Sequence, residues 1–191
     1  MADAVAAIKE DHRRMERLFE RLRSGDGDRR ALVEEVVARL TAHARAEETE
    51  VYPEIAMLDP HEEAEVDHAE HEHQEAEHLM KKVANLVDSP HFEQALTEFV
   101  EAVQHHVEEE EQQVLPALEK AVDAATLRQL GQAFERTRSR ILRSAGFGTD
   151  GGAEPDERTR EELYEMAKQA DIPGRSGMNK DQLAEALRER G

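Results

Sequence analysis

The sequence predicts an all-α fold, an up-down four-helix bundle with an extra fifth helix and a small C-terminal helix-loop-helix. Three observations carry that prediction. A segment of the form His-x3-Glu-Glu-x4-Pro occurs twice, from His43 to Pro53 and from His106 to Pro116. Each copy continues an apolar stripe at helical spacing, with Val33, Val36 and Leu40 before His43 and Leu96, Phe99 and Val103 before His106. Apolar residues also recur at the same offsets around two further histidines. Val5, Ile8, Met15, Leu18, Phe19 and Leu22 surround His12 as Val66, Ala69, Ala76, Leu79, Met80 and Val83 surround His73. The first 116 residues therefore read as two helical hairpins of one plan.

Helix one is expected from about Asp3 to Leu22, ending in the glycine- and aspartate-rich turn 24–28. Helix two starts near Arg30 and should kink or end at Pro53, because proline donates no helical hydrogen bond. Residues 58–60 form the next connection, and helix three runs from about Glu62 to Val87. Ser89 and Pro90 supply an N-cap and a first-turn proline for helix four, which carries the second repeated segment to Pro116. Leu127, Leu130, Phe134 and Ile141 mark a fifth amphipathic helix from about Thr126 to Arg143, packed on the outside of the bundle. A bundle domain of residues 1–145, a flexible glycine-rich linker of 146–155 and a separate unit of 156–191 follow. In that unit Thr159 and Glu162 form a capping box before Leu163, Met166, Ala167 and Ala170. A loop over 172–178 then leads to a last helix capped by Asn179 and Gln182, with Leu183, Ala186 and Leu187 on its apolar side.

Composition narrows the function. Of 191 residues 36% are charged, the net charge is −19, and the chain as a whole repels nucleic acid. The absence of cysteine excludes disulfides, thiolate zinc sites, iron–sulfur clusters and cysteine nucleophiles. No signal pattern opens the chain and no apolar run is long enough to span a membrane, so the expected location is the cytoplasm and no membrane partner is expected. No serine triad, phosphate-cradling glycine loop or basic–aromatic patch emerges.

The chemistry lies on the stripes. A histidine or glutamate aimed into an apolar core costs several kcal/mol unless a partner compensates, on the order of the penalty for an unpaired buried polar group. His12, His43, Glu47, His73, His106 and Glu110 all point inward, and at ~1.5 Å rise per residue they fall at one height within about a turn. His73 is the inward histidine of helix three, because the apolar offsets fail around His71; His68, His71 and His78 should face water. Glu48, Glu108, Glu109 and Glu111 lie off the stripe and read as solvated surface, and Tyr52 reads as packing near the kink, with an approach to the cluster as the alternative. Imidazole and carboxylate without sulfur suit iron or manganese, and zinc or copper also bind such sets. Two metals bridged by Glu47 and Glu110 match the symmetric layout. A single metal, or a metal-free bundle of mutually bonded histidines and glutamates, stays open.

The pattern His12, His43-x3-Glu47, His73, His106-x3-Glu110, closed by Pro53 and Pro116, resembles the hemerythrin-like (HHE cation-binding) family over about residues 1–120. The resemblance implies a non-haem centre of two carboxylate-bridged Fe ions, which Mn or Zn can replace. It also implies binding of oxygen or nitric oxide, sensing of oxygen or iron, or peroxide decomposition. Oxygen-carrying members have two third-helix histidines one turn apart, where this chain has Ala69 and Glu77 four residues either side of His73. Their fourth helix has an Asp five residues after its histidine, where Glu110 here comes four after His106. This chain is more similar to bacterial, especially actinobacterial, members associated with peroxide or nitric oxide. The tail from Glu162 to Leu187 resembles the N-terminal helix-loop-helix of Rho termination factor, which implies nucleic-acid or protein contact through Arg175 and Lys180. A sensor or adaptor that signals through this tail is the alternative to an enzyme.

Overall fold

The structure is a computed structural model, and it describes residues 3–58 and 63–147 and, in the C-terminal part, 163–164, 167–168, 172 and 174–188. The expected connection at 59–60, residues 148–155 of the expected linker, the Thr159/Glu162 capping box, and Met166 and Ala170 lie outside the described residues.

Helix α1 (Ala4–Ser24) starts where the Asp3 carboxylate accepts the Ala6 N–H at 2.9 Å, and it ends at Gly25 in the left-handed conformation, φ 70°. Helix α2 (Arg29–Glu50) starts on Asp28, whose carboxylate accepts the Ala31 N–H at 2.8 Å. The chain breaks at Val51 and continues as a short α3 (Tyr52–Leu58), so the kink falls just ahead of Pro53, which sits in the first turn of α3 where no donor is needed. Helix α4 (Glu63–Asn85) and α5 (Phe92–Glu109) form the second hairpin. Helix α5 begins later than expected at Ser89–Pro90. The Ser89 side chain instead accepts the His91 N–H at 3.2 Å in a turn, which delays the helix to Phe92.

The second proline is passed differently from the first. After α5 the chain widens into a π-helical turn, Glu110–Val114, and runs on as α6 (Leu115–Ala121). The Leu115 N–H bonds the Glu110 carbonyl, and Pro116 then occupies the start of α6. One extra residue in the turn absorbs the donor that proline lacks, and such bulges often lie at functional sites. Both repeated glutamates, Glu47 and Glu110, therefore sit at a helical irregularity.

The core falls into two apolar clusters. One holds Met15, Phe19, Val36, Leu40, Met80, Leu96, Phe99 and Val103; the other holds Val5, Ile8, Tyr52, Ile55, Val66, Leu115, Leu118 and Phe134. On α1, α2, α4 and α5 the inward histidine falls in sequence between the two clusters. The polar stripe residues form a polar layer across the middle of the bundle.

Helix α7 (Ala124–Ser144) packs against α1 and α2. Small residues on α2, Ala38 and Ala42, are buried against Leu142 of α7, and Ala46 is buried in the cluster that holds Phe134. Gly146 (φ 83°) and Phe147 close α7, with the Phe147 N–H bonded to the Leu142 carbonyl at 2.9 Å and the Gly146 N–H to Arg143 at 3.1 Å. The chain divides into two compact units, Met1–Phe147 and Gly148–Gly191. In the second, Leu163, Ala167, Ile172 and Leu183 form a small core. Helix α8 (Lys180–Arg188) opens with Asn179 and Gln182 capping each other's backbone N–H groups at 2.9 and 3.0 Å. No helix among the described residues is long and apolar enough to cross a membrane.

Candidate metal centre

The six stripe residues meet. His12, His43, Glu47, His73, His106 and Glu110 are all buried, Glu47 and Glu110 completely. Nε2 of His12 lies 3.2 Å from Glu110 Oε2, and Nε2 of His43 lies 3.1 Å from Glu47 Oε1. Nε2 of His73 lies 3.4 Å from Glu47 Oε2 and 3.0 Å from Nε2 of His106. Two groups of metal-competent atoms result, each within 4.8 Å: His12, His43, Glu47 and Glu110, and Glu47, His73 and His106. Glu47 is common to both. His71 and His78 are exposed, as the offsets predicted, and so is His68.

Every one of these histidines turns its other nitrogen to a carboxylate. Nδ1–H of His12 donates to Glu111 at 2.9 Å, of His43 to Asp11 at 3.2 Å, of His73 to Glu48 at 3.3 Å and of His106 to Glu72 at 3.0 Å. An ionised carboxylate accepts only, so each bond places a proton on Nδ1 and leaves Nε2 as the nitrogen that faces the centre. The arrangement follows the repeat. Asp11 and Glu72 each precede the first-helix histidine of their hairpin and hold the second-helix histidine of the same hairpin. Glu48 and Glu111 each follow the inward glutamate and cross to the histidine of the other hairpin.

Glu48 and Glu111 are thus not the solvated residues expected from the stripe; they are half-buried partners of His73 and His12. A long side chain one step off a stripe reaches a neighbouring helix, which helical periodicity alone does not register. Asp11 and Glu72 escaped the sequence reading too. The signal was present, an acidic residue before His12 and again before His73 within otherwise matched stretches.

The electrostatics of the layer suit a bound metal ion. The Nε2 atoms of His12 and His43, both Glu47 oxygens and Glu110 Oε2 are buried without a hydrogen bond of acceptable geometry, a condition native interiors rarely leave unexplained. Burial, and then the Glu110 charge, push Glu47 well above the usual carboxylate range. Burial opposes ionisation of Glu110 as well, but His12 beside it holds it below that range. Burial opposes the His12 charge, yet the Glu110 carboxylate overcomes it and raises His12 to about 9. Burial takes His43 down to about 4 despite its bond to Asp11. Clustered imidazoles and carboxylates that can be kept only by protonating some of them are a donor set suited to a divalent or trivalent metal.

The two groups differ in their surroundings. On the His43 side, Asp11 is buried and its other oxygen takes Arg138 of α7, while Phe134 meets the His43 ring edge-on with centroids 5.7 Å apart. On the His106 side, Glu72 reaches half-exposed ground, where His68 bridges to Glu109 at 3.2 Å. A cleft of about 350 Å³, bordered by Leu40, Ala44, Arg45, Glu77 and Met80, reaches His73 and Glu48. Tyr52 does more than pack. Its hydroxyl donates to Glu110 Oε1 at 3.1 Å and its ring stacks on His73 with centroids 5.8 Å apart. Its counterpart in the second repeat, Leu115, has no hydroxyl. One Glu110 oxygen is occupied in this way, whereas both Glu47 oxygens stay open to the layer.

Fold and site together define a helical bundle with a buried His/Glu metal-binding layer. Residues 3–118 match the model of the hemerythrin HHE cation binding domain, and the chain belongs to that family. An uncharacterized hemerythrin-like protein of Schizosaccharomyces pombe is 31% identical over 138 residues, 69% of this chain and 67% of that protein. The fold is similar to the crystal structure of a hemerythrin HHE cation binding domain-containing protein from Mycobacterium kansasii. The TM-score is 0.63 at 22% identity, covering 76% of this chain and 89% of that one. Residues 157–190 match the N-terminal domain of Rho termination factor.

Proposed function

We propose that the polar layer is a non-haem di-iron centre held by His12, His43, Glu47, His73, His106 and Glu110. Its function is to react with small oxygen species, by peroxide decomposition or by oxygen or nitric oxide binding, or both. The observation that carries this reading is the set of buried nitrogen and oxygen atoms left unpartnered between four histidines whose other nitrogens are already held. Iron at this site would supply the redox chemistry that peroxide decomposition requires; manganese and zinc are chemically acceptable substitutes. The chain's own residues divide the remaining work. Glu47 joins the two groups, Glu110 serves the His12/His43 group, and Tyr52 pins the other Glu110 oxygen. Burial and the nearby carboxylates push the Tyr52 hydroxyl well above its ordinary range, so it stays a proton donor. The His73/His106 group has one carboxylate fewer and its His73 lines the cleft, which makes it the side where a small ligand enters.

Metal content and the visible spectrum of protein produced with iron, read before and after peroxide, test the proposal. About two irons per chain with peroxide consumed over many cycles is the expected result. Iron without turnover would leave a binding or sensing protein, the second reading, which the Rho-like match at 157–190 favours. Removing residues 148–191 separates the two, since an enzyme keeps its turnover without them. A chain that takes up no metal would overturn both.

A further inference from the structure

The repeat accounts for four outer carboxylates but not for what holds them. Asp11 and Glu72 occupy matching places, yet Asp11 is 4% exposed and bound by Arg138, itself 3% exposed, whereas Glu72 pairs with His68 and His106. Arg138 belongs to α7, beyond the 3–118 stretch that matches the family. The same helix brings Phe134 against the His43 ring and bonds Thr137 to Glu50 at 2.6 Å. A buried ion pair is rarely kept for stability, since apolar residues of similar volume replace it at little or no cost. This pair also has a geometric consequence, because the second partner of Asp11 is His43.

We propose that Arg138, acting through Asp11, is a positioning residue of the metal centre. It fixes His43 with its proton on Nδ1 and its Nε2 toward Glu47, and so makes the His12/His43 position the one that retains its metal. Arg138 holds one Asp11 oxygen, which leaves the other in line with His43 Nδ1. Without the guanidinium, Asp11 Oδ1 keeps only the longer contact to Arg14 at 3.7 Å, the carboxylate can rotate, and the ring loses the fixed acceptor that orients it. The metal half of this inference rests on the di-iron reading above; the imidazole half does not.

The test uses the full chain and the variants Arg138→Met, Arg138→Lys and Asp11→Asn, with Thr137→Val as a control that removes a different polar contact of α7. Long-range proton–nitrogen NMR of metal-free protein reads the His43 tautomer directly. Nδ1–H should dominate in the parent and Thr137→Val, and mix with Nε2–H in Arg138→Met and Asp11→Asn. Iron-loaded protein is then challenged with a chelator. One iron of two should leave about 10–100-fold faster in Arg138→Met and Asp11→Asn, the range for losing an outer partner of a ligand, with partial rescue in Arg138→Lys. The proposal is overturned if His43 keeps Nδ1–H in both variants, or if iron retention merely follows thermal stability equally in Thr137→Val. A parent that binds no iron would sink the di-iron reading, while the tautomer result would still decide the positioning role.

Discussion

At His43 the centre is closed by α7, while at His73 it borders a cleft. Both halves are built from the same repeated pattern, down to the acidic residue before the first histidine and the second glutamate that crosses between hairpins. The difference comes from parts that are not repeated: α7 with Arg138 and Phe134 on one side, Tyr52 at the kink, and the surface groups His68 and Glu109 on the other. A duplicated motif thus makes a symmetric donor frame, and unrepeated helices decide which side is closed.

Glu47→Ala should have the largest effect, because Glu47 is the one residue both halves share. Metal affinity should fall by more than about 100-fold at both positions, beyond the usual loss for an outer partner, as read by metal content after dialysis. Retention of one tightly held metal would show that the halves are independent.

Acid should act next. In the metal-free protein His12 is raised to about 9, so it holds its second proton near neutrality, and burial pushes Glu47 above its ordinary range. Metal uptake must displace the His12 proton, so affinity should rise with pH up to about 9. The slope should be about tenfold per pH unit for each displaced proton, equivalent to about 1.4 kcal/mol. Competition titrations at pH 6, 7 and 8 would measure it, and a flat profile would contradict the protonated starting state.

A narrower cleft should slow entry without disturbing the metal. Ala44→Phe, on the border of the cleft, should slow azide binding to iron-loaded protein by about tenfold, ~1.4 kcal/mol on the barrier, in stopped-flow traces. Metal content should not change. Unaltered azide kinetics would mean that ligands enter elsewhere. The smallest effect belongs to His71→Ala. The exposed His71 ring takes no part in either group, so metal content should be unchanged and stability should move by less than about 0.5 kcal/mol. Loss of metal there would undo the choice of His73 as the inward histidine.

Much of this was legible in the sequence. The all-α architecture, the two matched hairpins, and the depth and identity of the six inward residues all followed from helical spacing, because rise and rotation per residue are local properties of one helix. The roles of Glu48, Glu111 and Tyr52 were read too simply. Each acts on a different helix from its own, and reach across helices depends on packing distance and on rotamers, which no single-helix periodicity encodes. The passage at Pro116 is a second case. Proline predicts an interruption, but whether the helix ends or widens into a π turn depends on what the residues after it can bury, here Leu115 and Leu118.

The sequence by itself determined the stripe, the repeat and the donor chemistry, since these are properties of residue type and of spacing along a helix. Only the tertiary structure decided that the two halves differ. Arg138 stands 127 positions from Asp11, and their contact exists because small residues on α2 let α7 pack close. That contact is a matter of volume and burial between distant segments, and it determines which histidine is locked and which is left near solvent.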